Sequence, residues 1–127
     1  MRRAIMLSLA LVLSSVTTAS ASYWHIARTL PWYGPGFYGN RTACGLKMTR
    51  TLVGVASRTL PCGTKVRFKY GGKTITVPVV DRGPYPSRDR YAEMPFDLTA
   101  GASIRLLHEG QPKPFTRHNV KYHIFYR

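Results

Sequence analysis

Cations and apolar residues alternate strictly over Lys65–Tyr70, and this pattern limits the possible folds more than any other part of the chain. Every second side chain of such a run lies on one face, as in a β-strand with one buried side. Gly71 and Gly72 follow, and a second alternating run covers residues 73–80. Two glycines between two such runs predict a tight hairpin. Pro78 has no N–H to donate, which indicates an edge, a bulge or a strand crossing late in the second strand.

The remaining patterning is also mostly that of strands. Further strands are predicted at Tyr23–Leu30, Leu52–Ala56 and Asn119–Arg127. One helix is predicted from about Thr99 to His108, capped by Asp97 or Thr99 and ended near Gly110. Many short strands and one short helix predict a mainly β fold, a small closed barrel.

The first 21 residues have the pattern of a secretory signal peptide. Arg2 and Arg3 precede an apolar stretch over Ala4–Val16, and Ala19–Ala21 forms a small-residue cleavage site. The apolar stretch is short against the roughly 20 residues that span a bilayer. We therefore expect residues 1–21 to be removed near Ala21, residues 22–127 to form one domain, and the protein to act in the cell wall or periplasm.

The chain is strongly basic, with 19 Lys+Arg against 5 Asp+Glu and a net charge of +14. Removing the two arginines of the signal peptide leaves +12. Outside the cytoplasm the available polyanions are wall polymers and lipid headgroups, so a nucleic-acid partner is not expected. Attraction to anionic wall polymers and mere solubility explain the charge equally well, because the cations are scattered.

Cys44 and Cys62 enclose 17 residues. In an exported chain two such cysteines predict a disulfide, which stabilises a loop of this size by about 3 kcal/mol. A zinc site needs further ligands at short spacing, but the four histidines are scattered, at His25, His108, His118 and His123. We expect neither a metal nor a cofactor.

Four aromatic rings lie among glycines and a proline in Trp32–Gly39. Glycine and proline force a loop here, so some of these rings are expected near the surface, where rings commonly stack on sugars. Tyr33 and Tyr38 are the better ligand candidates. Trp32 and Phe37 are explained equally well as plugs for one end of the barrel.

Asp81 ends a buried strand and is followed at once by turn residues. A half-buried carboxyl group there can acquire the raised pKa of a general acid. The neighbouring Arg82 opposes that shift, and a structural ion pair between the two is the favoured interpretation. If Arg82 points away instead, Asp81 can act as an acid.

Together these segments resemble the rare lipoprotein A family of double-psi β-barrels over residues 27–126. The similar motifs are Trp32-Tyr33-Gly34, Phe37-Tyr38-Gly39, Thr42-Ala43-x-Gly45, Thr59-Leu60-Pro61-x-Gly63-Thr64-x-Val66, Asp81-Arg82-Gly83-Pro84 and Asp97-Leu98-Thr99. The resemblance implies a small six-stranded double-psi β-barrel, related to the first domain of expansins and to barwin. It also implies action on wall glycans. Some members are lytic transglycosylases, and the aspartate that Asp81 matches is taken as catalytic in them.

The chain departs from that pattern at two positions. Leu46 stands where such members have a glutamate, and Ser57 stands where many have a histidine. The pair of cysteines is similar to that of some secreted relatives, in which a disulfide is expected beside the groove. Ser57 or Tyr85 is a candidate to supply the lost polar role.

Hydrolytic glycosidases need two carboxylates, and the sequence offers no convincing second one. Asp97 is explained as a helix cap, and Asp89 and Glu93 as parts of a solvated loop. A lytic transglycosylase uses a hydroxyl of its own substrate as the nucleophile, so a single Asp81 could serve as both acid and base. The glycan would be held by a set of polar and aromatic side chains, Tyr33, Tyr38, Arg82, Tyr85 and Ser57.

Three functions therefore remain open. The first is a monomeric lytic transglycosylase that binds and cleaves peptidoglycan. The second is an expansin-like or barwin-like module that binds peptidoglycan or another wall polysaccharide without cutting it. The third is a small cationic secreted effector similar to barwin or to a toxin.

Overall fold

The chain folds into seven strands and one α-helix in a computed structural model that describes residues 5, 10–15, 23–107 and 116–126. The strands are β1 (His25–Leu30), β2 (Trp32–Tyr33), β3 (Val55–Ser57), β4 (Lys65–Tyr70), β5 (Lys73–Asp81), β6 (Phe96–Thr99) and β7 (Arg117–Phe125). The helix α1 spans Ala100–Leu107, and a 3₁₀ turn spans Arg88–Arg90. The mainly β prediction is confirmed. Most of the predicted signal peptide, together with His108 and Gly110, lies outside the described residues.

The sheet is strongly curled. Its strand order is β1-β7-β4-β5-β3-β6-β2, so β1 and β2 form opposite edges. Pro31 alone separates these two strands in the sequence, and the Leu98 N–H donates to its carbonyl at 2.9 Å. Because the two edges meet at Pro31, the sheet must curl into a barrel. Seven strands are present rather than the six expected, and the shortest, β2, has two residues.

β5 changes its partner along its length. Residues from Lys73 to Pro78 pair antiparallel with β4 across the predicted two-glycine turn. Val79 and Asp81 then pair in parallel with β3, with an irregularity between them. Pro78 therefore marks a strand crossing, one of the three outcomes that its missing N–H allowed.

The barrel interior is filled by the apolar side of the alternating strands. It holds Ala27, Leu30, Val55, Val66, Phe68, Val77, Val79, Phe96, Leu98 and Val120, with Ala102 and Leu106 of α1. Each strand of this kind buries one face, and burial of apolar surface is the main stabilising term. The core holds β3, β5 and β6 in fixed register, and this register positions the site described next.

Thr99 caps the helix, and Asp97 does not. The Thr99 hydroxyl accepts hydrogen bonds from the N–H groups of Ala102 (3.3 Å) and Gly54 (3.1 Å) and donates to the Leu52 carbonyl at 2.6 Å. The expectation that Asp97 serves as a cap is therefore wrong. Asp97 lies inside β6, and it lines the pocket described in the next section.

Candidate active site

Two aspartates lie on either side of an alanine across three neighbouring strands. Ala56 of β3 pairs with Asp81 of β5 and also with Asp97 of β6. Neighbouring strands are about 4.8 Å apart, so the Cα atoms of the two aspartates are about 10 Å apart. The small side chain of Ala56 leaves the space between the two carboxyl groups open.

The two carboxyl groups line a trough of about 290 Å³. Its other walls are formed by Tyr33, Phe37 and the segment 82–85. Phe37 is 54% exposed and Tyr85 is 67% exposed, so both rings stand at the rim rather than in the core. A concave site with exposed rings and two convergent acids has the composition of a ligand-binding pocket.

Asp81 is held by three hydrogen-bond donors. Its Oδ2 accepts the hydroxyl of Tyr33 at 2.8 Å. Its Oδ1 accepts the backbone N–H groups of Ala43 at 2.8 Å and of Arg82 at 2.9 Å. An ionised carboxylate is an acceptor only, so it matches this set of donors, and the three bonds fix its orientation.

The Tyr33 phenol is kept protonated by its surroundings. Burial, the hydrogen bond to Asp81 and the negative charges of Asp81 and Asp97 raise its pKa well above the usual value. At neutral pH the phenol is therefore protonated and donates its hydrogen bond to Asp81.

Asp97 has the opposite environment from Asp81. Burial, with a smaller contribution from the negative charge of Asp81, raises the pKa of Asp97 to about 7. Its Oδ1 atom is buried without a hydrogen-bond partner among the described residues. A carboxyl group that holds its proton near neutral pH is suited to general acid catalysis. The structure thus places a second carboxyl group beside the trough, where the sequence analysis expected none.

The guanidinium of Arg82 forms no ion pair with Asp81, although the backbone N–H of Arg82 donates to it. Its guanidinium donates to the backbone carbonyls of Leu60 (2.7 Å) and Ser57 (3.3 Å) and approaches Cys62 Sγ at 3.7 Å. The favoured ion pair is thus wrong, because the turn after β3 offers carbonyl acceptors that the local sequence does not reveal. Arg82 still borders the trough, and within the described part of the chain no cationic side chain pairs with Asp81.

Three positions singled out in the sequence lie outside the trough lining. Ser57 is buried, and its hydroxyl accepts the N–H of Leu60 at 3.1 Å. The Tyr38 ring covers Gly34, where a Cβ atom would come within 2.7 Å of the phenol oxygen. Leu46 is exposed on the loop that follows Ala43. Of the proposed glycan contacts, Tyr33, Arg82 and Tyr85 are brought together, whereas Tyr38 and Ser57 are not.

The disulfide supports one donor of the site. Cys44 and Cys62 are bonded, with their Cα atoms 5.8 Å apart, as the sequence predicts. Cys44 directly follows Ala43, and its N–H donates to the Val80 carbonyl at 3.4 Å. The bridge therefore fastens the loop that presents the Ala43 N–H to Asp81.

Arg58 holds in place the segment 82–85, which forms part of the trough wall. Its guanidinium donates to the carbonyls of Met94 (2.8 Å), Tyr91 (2.8 Å) and Pro84 (2.9 Å). It also lies 4.3 Å from the centroid of the Tyr91 ring, a cation–π contact. The planar guanidinium can serve three carbonyls at once, which a lysine cannot do in the same geometry.

Asp97 and Phe37 line the trough but were not among the site residues expected from the sequence. Phe96-Asp97-Leu98-Thr99 alternates one polar residue with buried ones, and this strand pattern was the available signal for Asp97. Phe37 carried no such signal, since its loop has no regular period. Trp32, its companion among the expected barrel plugs, packs against the core.

The described residues contain no group of three or more His, Cys, Asp or Glu that could hold a metal ion. Nor does the described part of the chain include a helix with the length and apolar character needed to cross a membrane.

Comparison with known proteins gives one family match. The sequence profile of the family described as lytic transglycolase matches residues 25–108. The chain is 40% identical over 74 residues to the probable endolytic peptidoglycan transglycosylase RlpA of Synechocystis, covering 57% of this chain and 22% of that protein. It is 35% identical over 77 residues to the endolytic peptidoglycan transglycosylase RlpA of Campylobacter jejuni, covering 59% and 26%.

The match to these relatives is partial. A third, the probable endolytic peptidoglycan transglycosylase RlpA of Aquifex aeolicus, is 35% identical over 81 residues, which is 62% of this chain and 34% of that protein. The chain thus spans about a fifth to a third of the length of the curated relatives it matches. The solved structure of Streptomyces papain inhibitor matches 81% of this chain and 94% of that chain, with a TM-score of 0.57 and 24% identity. This last likeness shows a shared double-psi barrel fold.

Proposed function

Because the chain belongs to the lytic transglycolase family, whose profile covers residues 25–108, we propose that it cleaves the glycan strands of peptidoglycan by transglycosylation. Acting on a wall polymer requires export, which the predicted signal peptide over residues 1–21 would provide. The proposal is carried by one observation: Asp81 and Asp97 face the same open trough from either side of Ala56.

The two carboxyl groups take different roles in this mechanism. Protonated Asp97 donates its proton to the glycosidic oxygen as the bond from that oxygen to the anomeric carbon breaks. A hydroxyl of the same sugar attacks the anomeric carbon, and ionised Asp81 accepts the proton of that hydroxyl as the new bond forms. Both carboxyl groups then return to their starting states by proton exchange with water. The acid role expected for Asp81 thus passes to Asp97.

The remaining trough residues hold the reactants. Tyr33 keeps Asp81 oriented by its 2.8 Å hydrogen bond. The exposed rings of Phe37 and Tyr85 offer flat apolar surfaces on which sugar rings can lie. Two separated carboxylates are also compatible with hydrolysis, in which a water molecule takes the place of the sugar hydroxyl. The names of the relatives favour transglycosylation.

Digestion of purified sacculi tests the proposal. The wild-type protein, Asp81→Asn and Asp97→Asn are incubated with sacculi, and released fragments are analysed by mass spectrometry for anhydro-sugar ends. Asp89→Asn is the matched control, since Asp89 is exposed in the 3₁₀ turn and does not line the trough. Anhydro ends released by wild type and Asp89→Asn, with a loss of about 100-fold or more in both trough variants, support the proposal.

Other products would contradict it. Fragments with ordinary reducing ends from wild type would assign hydrolysis to the same two carboxylates. Sedimentation of the protein with sacculi, without any release of fragments, would leave a binding module. This binding function is favoured by Leu46 and Ser57, which stand where members of the rare lipoprotein A family have polar residues.

A further inference from the structure

A second surface, away from the trough, combines cations with aromatic rings. β4 turns Val66 and Phe68 into the core, so its alternate residues point outward. These pair directly with outward residues of β7. We call this the outer sheet face and define it by six residues: Lys65, Arg67, Lys69, Lys121, His123 and Phe125.

The outer sheet face has no negative charge of its own. The strands β1, β4, β5 and β7 contain no Asp or Glu except Asp81, which ends β5 at the trough. Lys69 and Lys121 are direct cross-strand partners. Like charges in such positions destabilise a sheet, so this arrangement costs stability unless an anion lies between the two ammonium groups.

A depression of about 290 Å³ lies beside this lysine pair. It is lined by Lys69, Tyr70, Asn119, Lys121 and the turn glycines 71–72. Two ammonium groups and a carboxamide supply several hydrogen-bond donors at one place. A carboxylate or another small anionic group can therefore be bound there with charge-assisted hydrogen bonds.

Aromatic rings continue the face at its other end. The Arg67 guanidinium lies 4.8 Å from the centroid of the Phe125 ring, and the His123 ring meets that ring edge-on, also at 4.8 Å. Lys65 pairs with Phe125 across the strands. The guanidinium lies over one face of the Phe125 ring, and the exposed remainder of the ring can contact a sugar next to charges for acidic substituents.

From these features we infer that the outer sheet face is a second peptidoglycan-binding surface, separate from the cleavage trough. Sugar rings lie along Phe125 and His123, and carboxylates of the stem peptides lie between Lys69 and Lys121. The choice of peptidoglycan as the polymer rests on the proposed function. That the ligand is acidic follows from the positive charges of the outer sheet face itself. Binding at the outer sheet face would hold the protein on the cell wall while the trough acts on a glycan strand.

Sedimentation with sacculi tests this surface. Lys69→Gln/Lys121→Gln is compared with Lys47→Gln/Arg50→Gln, which removes the same charge from exposed positions outside the four strands. All proteins carry Asp97→Asn, so that binding is measured without cleavage. At about 0.1 M salt we expect the first pair to weaken binding about tenfold and the second pair to change it less than about twofold.

Two further arms identify the ligand. Sacculi whose carboxylates have been converted to amides should bind the reference protein as weakly as unmodified sacculi bind Lys69→Gln/Lys121→Gln. The inference would be overturned if Lys69→Gln/Lys121→Gln and Lys47→Gln/Arg50→Gln bound sacculi equally well. Undiminished binding of the reference protein to amidated sacculi would also overturn it. A single-stranded oligonucleotide that binds more tightly than sacculi, and only when Lys69 and Lys121 are present, would overturn it in favour of nucleic acid.

Failure to fold and failure to cleave are separable from these results. Removing a pair of opposed lysines relieves repulsion, so Lys69→Gln/Lys121→Gln should unfold at a temperature no lower than the reference protein does. Because no turnover is measured, a protein that never releases anhydro ends still tests the surface. The proposed cleavage could thus be wrong while this inference stands, and the reverse also holds.

Discussion

Asp81 and Asp97 are chemically identical side chains with different environments in the same trough. Asp81 receives three hydrogen bonds, one from the Tyr33 hydroxyl and two from backbone N–H groups. Asp97 has a buried oxygen without a partner among the described residues. Environment, rather than residue type, therefore separates a carboxyl group held by three donors from one whose pKa is raised by burial.

At this scale we predict a pH-dependent gain in stability for Asp97→Asn relative to wild type. The pKa of Asp97 rises from 3.8 to about 7 on folding, so its protonation stabilises the folded state at low pH. That contribution is lost as pH rises from about 4 to about 7. Urea unfolding measures the free energy of unfolding at about pH 5 and about pH 8. Between these two pH values, that free energy should fall by roughly 2 to 3 kcal/mol more for wild type than for the variant.

Asp89→Asn controls for the loss of a surface charge in this experiment. Asp89 is exposed, so its replacement should leave the pH dependence of unfolding like that of wild type. If wild type and Asp97→Asn lost the same free energy between the two pH values, the raised pKa would be wrong. The general acid role would then have to be given up as well.

The helix and the loop before β3 form the element that sets the position of Ala56. The Thr99 hydroxyl binds Gly54 and Leu52 of that loop while capping α1. Gly101 lies so close to the loop that a Cβ atom there would be 2.6 Å from the Leu52 carbonyl oxygen. The helix therefore fixes the loop that leads into the central strand of the trough.

We predict that Gly101→Ala destabilises the protein by about 1 to 3 kcal/mol. Alanine stabilises a helix by about 1 kcal/mol more than glycine does, so helix propensity alone would predict that the substitution stabilises the protein. The added methyl group meets backbone carbonyls of Thr51 and Leu52, which cannot move aside like a flexible side chain. Thermal and urea unfolding measure the change. Arg105→Ala, exposed on the same helix, should change stability by less than about 0.5 kcal/mol, and equal stability of both variants would contradict the argument.

For the whole molecule, the curl of the sheet and one covalent bridge hold distant segments together. Pro31 joins the edge strands β1 and β2 and so brings the two edges of the curled sheet together, while Cys44–Cys62 fastens the loop of Ala43 beside the end of β5. The trough thus depends on segments far apart in the chain, and the disulfide limits the freedom of one of them.

We predict that Cys44→Ser/Cys62→Ser lowers the free energy of unfolding by about 3 kcal/mol. It should also reduce release of anhydro ends, because the loop that presents the Ala43 N–H to Asp81 is no longer fastened. Treatment of wild type with a reductant should reproduce both effects, and the double variant should not respond to reductant. Unchanged stability in the double variant would show that the bridge adds nothing to the fold.

Local pattern was sufficient for several features of this protein. The alternation over Lys65–Tyr70 and the two glycines after it predicted the hairpin, and the two cysteines predicted the disulfide. Asp81 was placed correctly at the end of its strand. These features depend on the period of one strand, the conformational freedom of glycine or the pairing of the only two thiols, all of which can be read along the chain.

The tertiary structure alone decided how the site is assembled. Asp97 and Asp81 became neighbours because β3 lies between β5 and β6, and that order requires β5 to change partners after Pro78. Arg82 turned from Asp81 to the carbonyls of Ser57 and Leu60 for the same reason, since the turn after β3 lies beside the end of β5. Such contacts join residues far apart in sequence, and their geometry is set by packing and strand register rather than by any local preference.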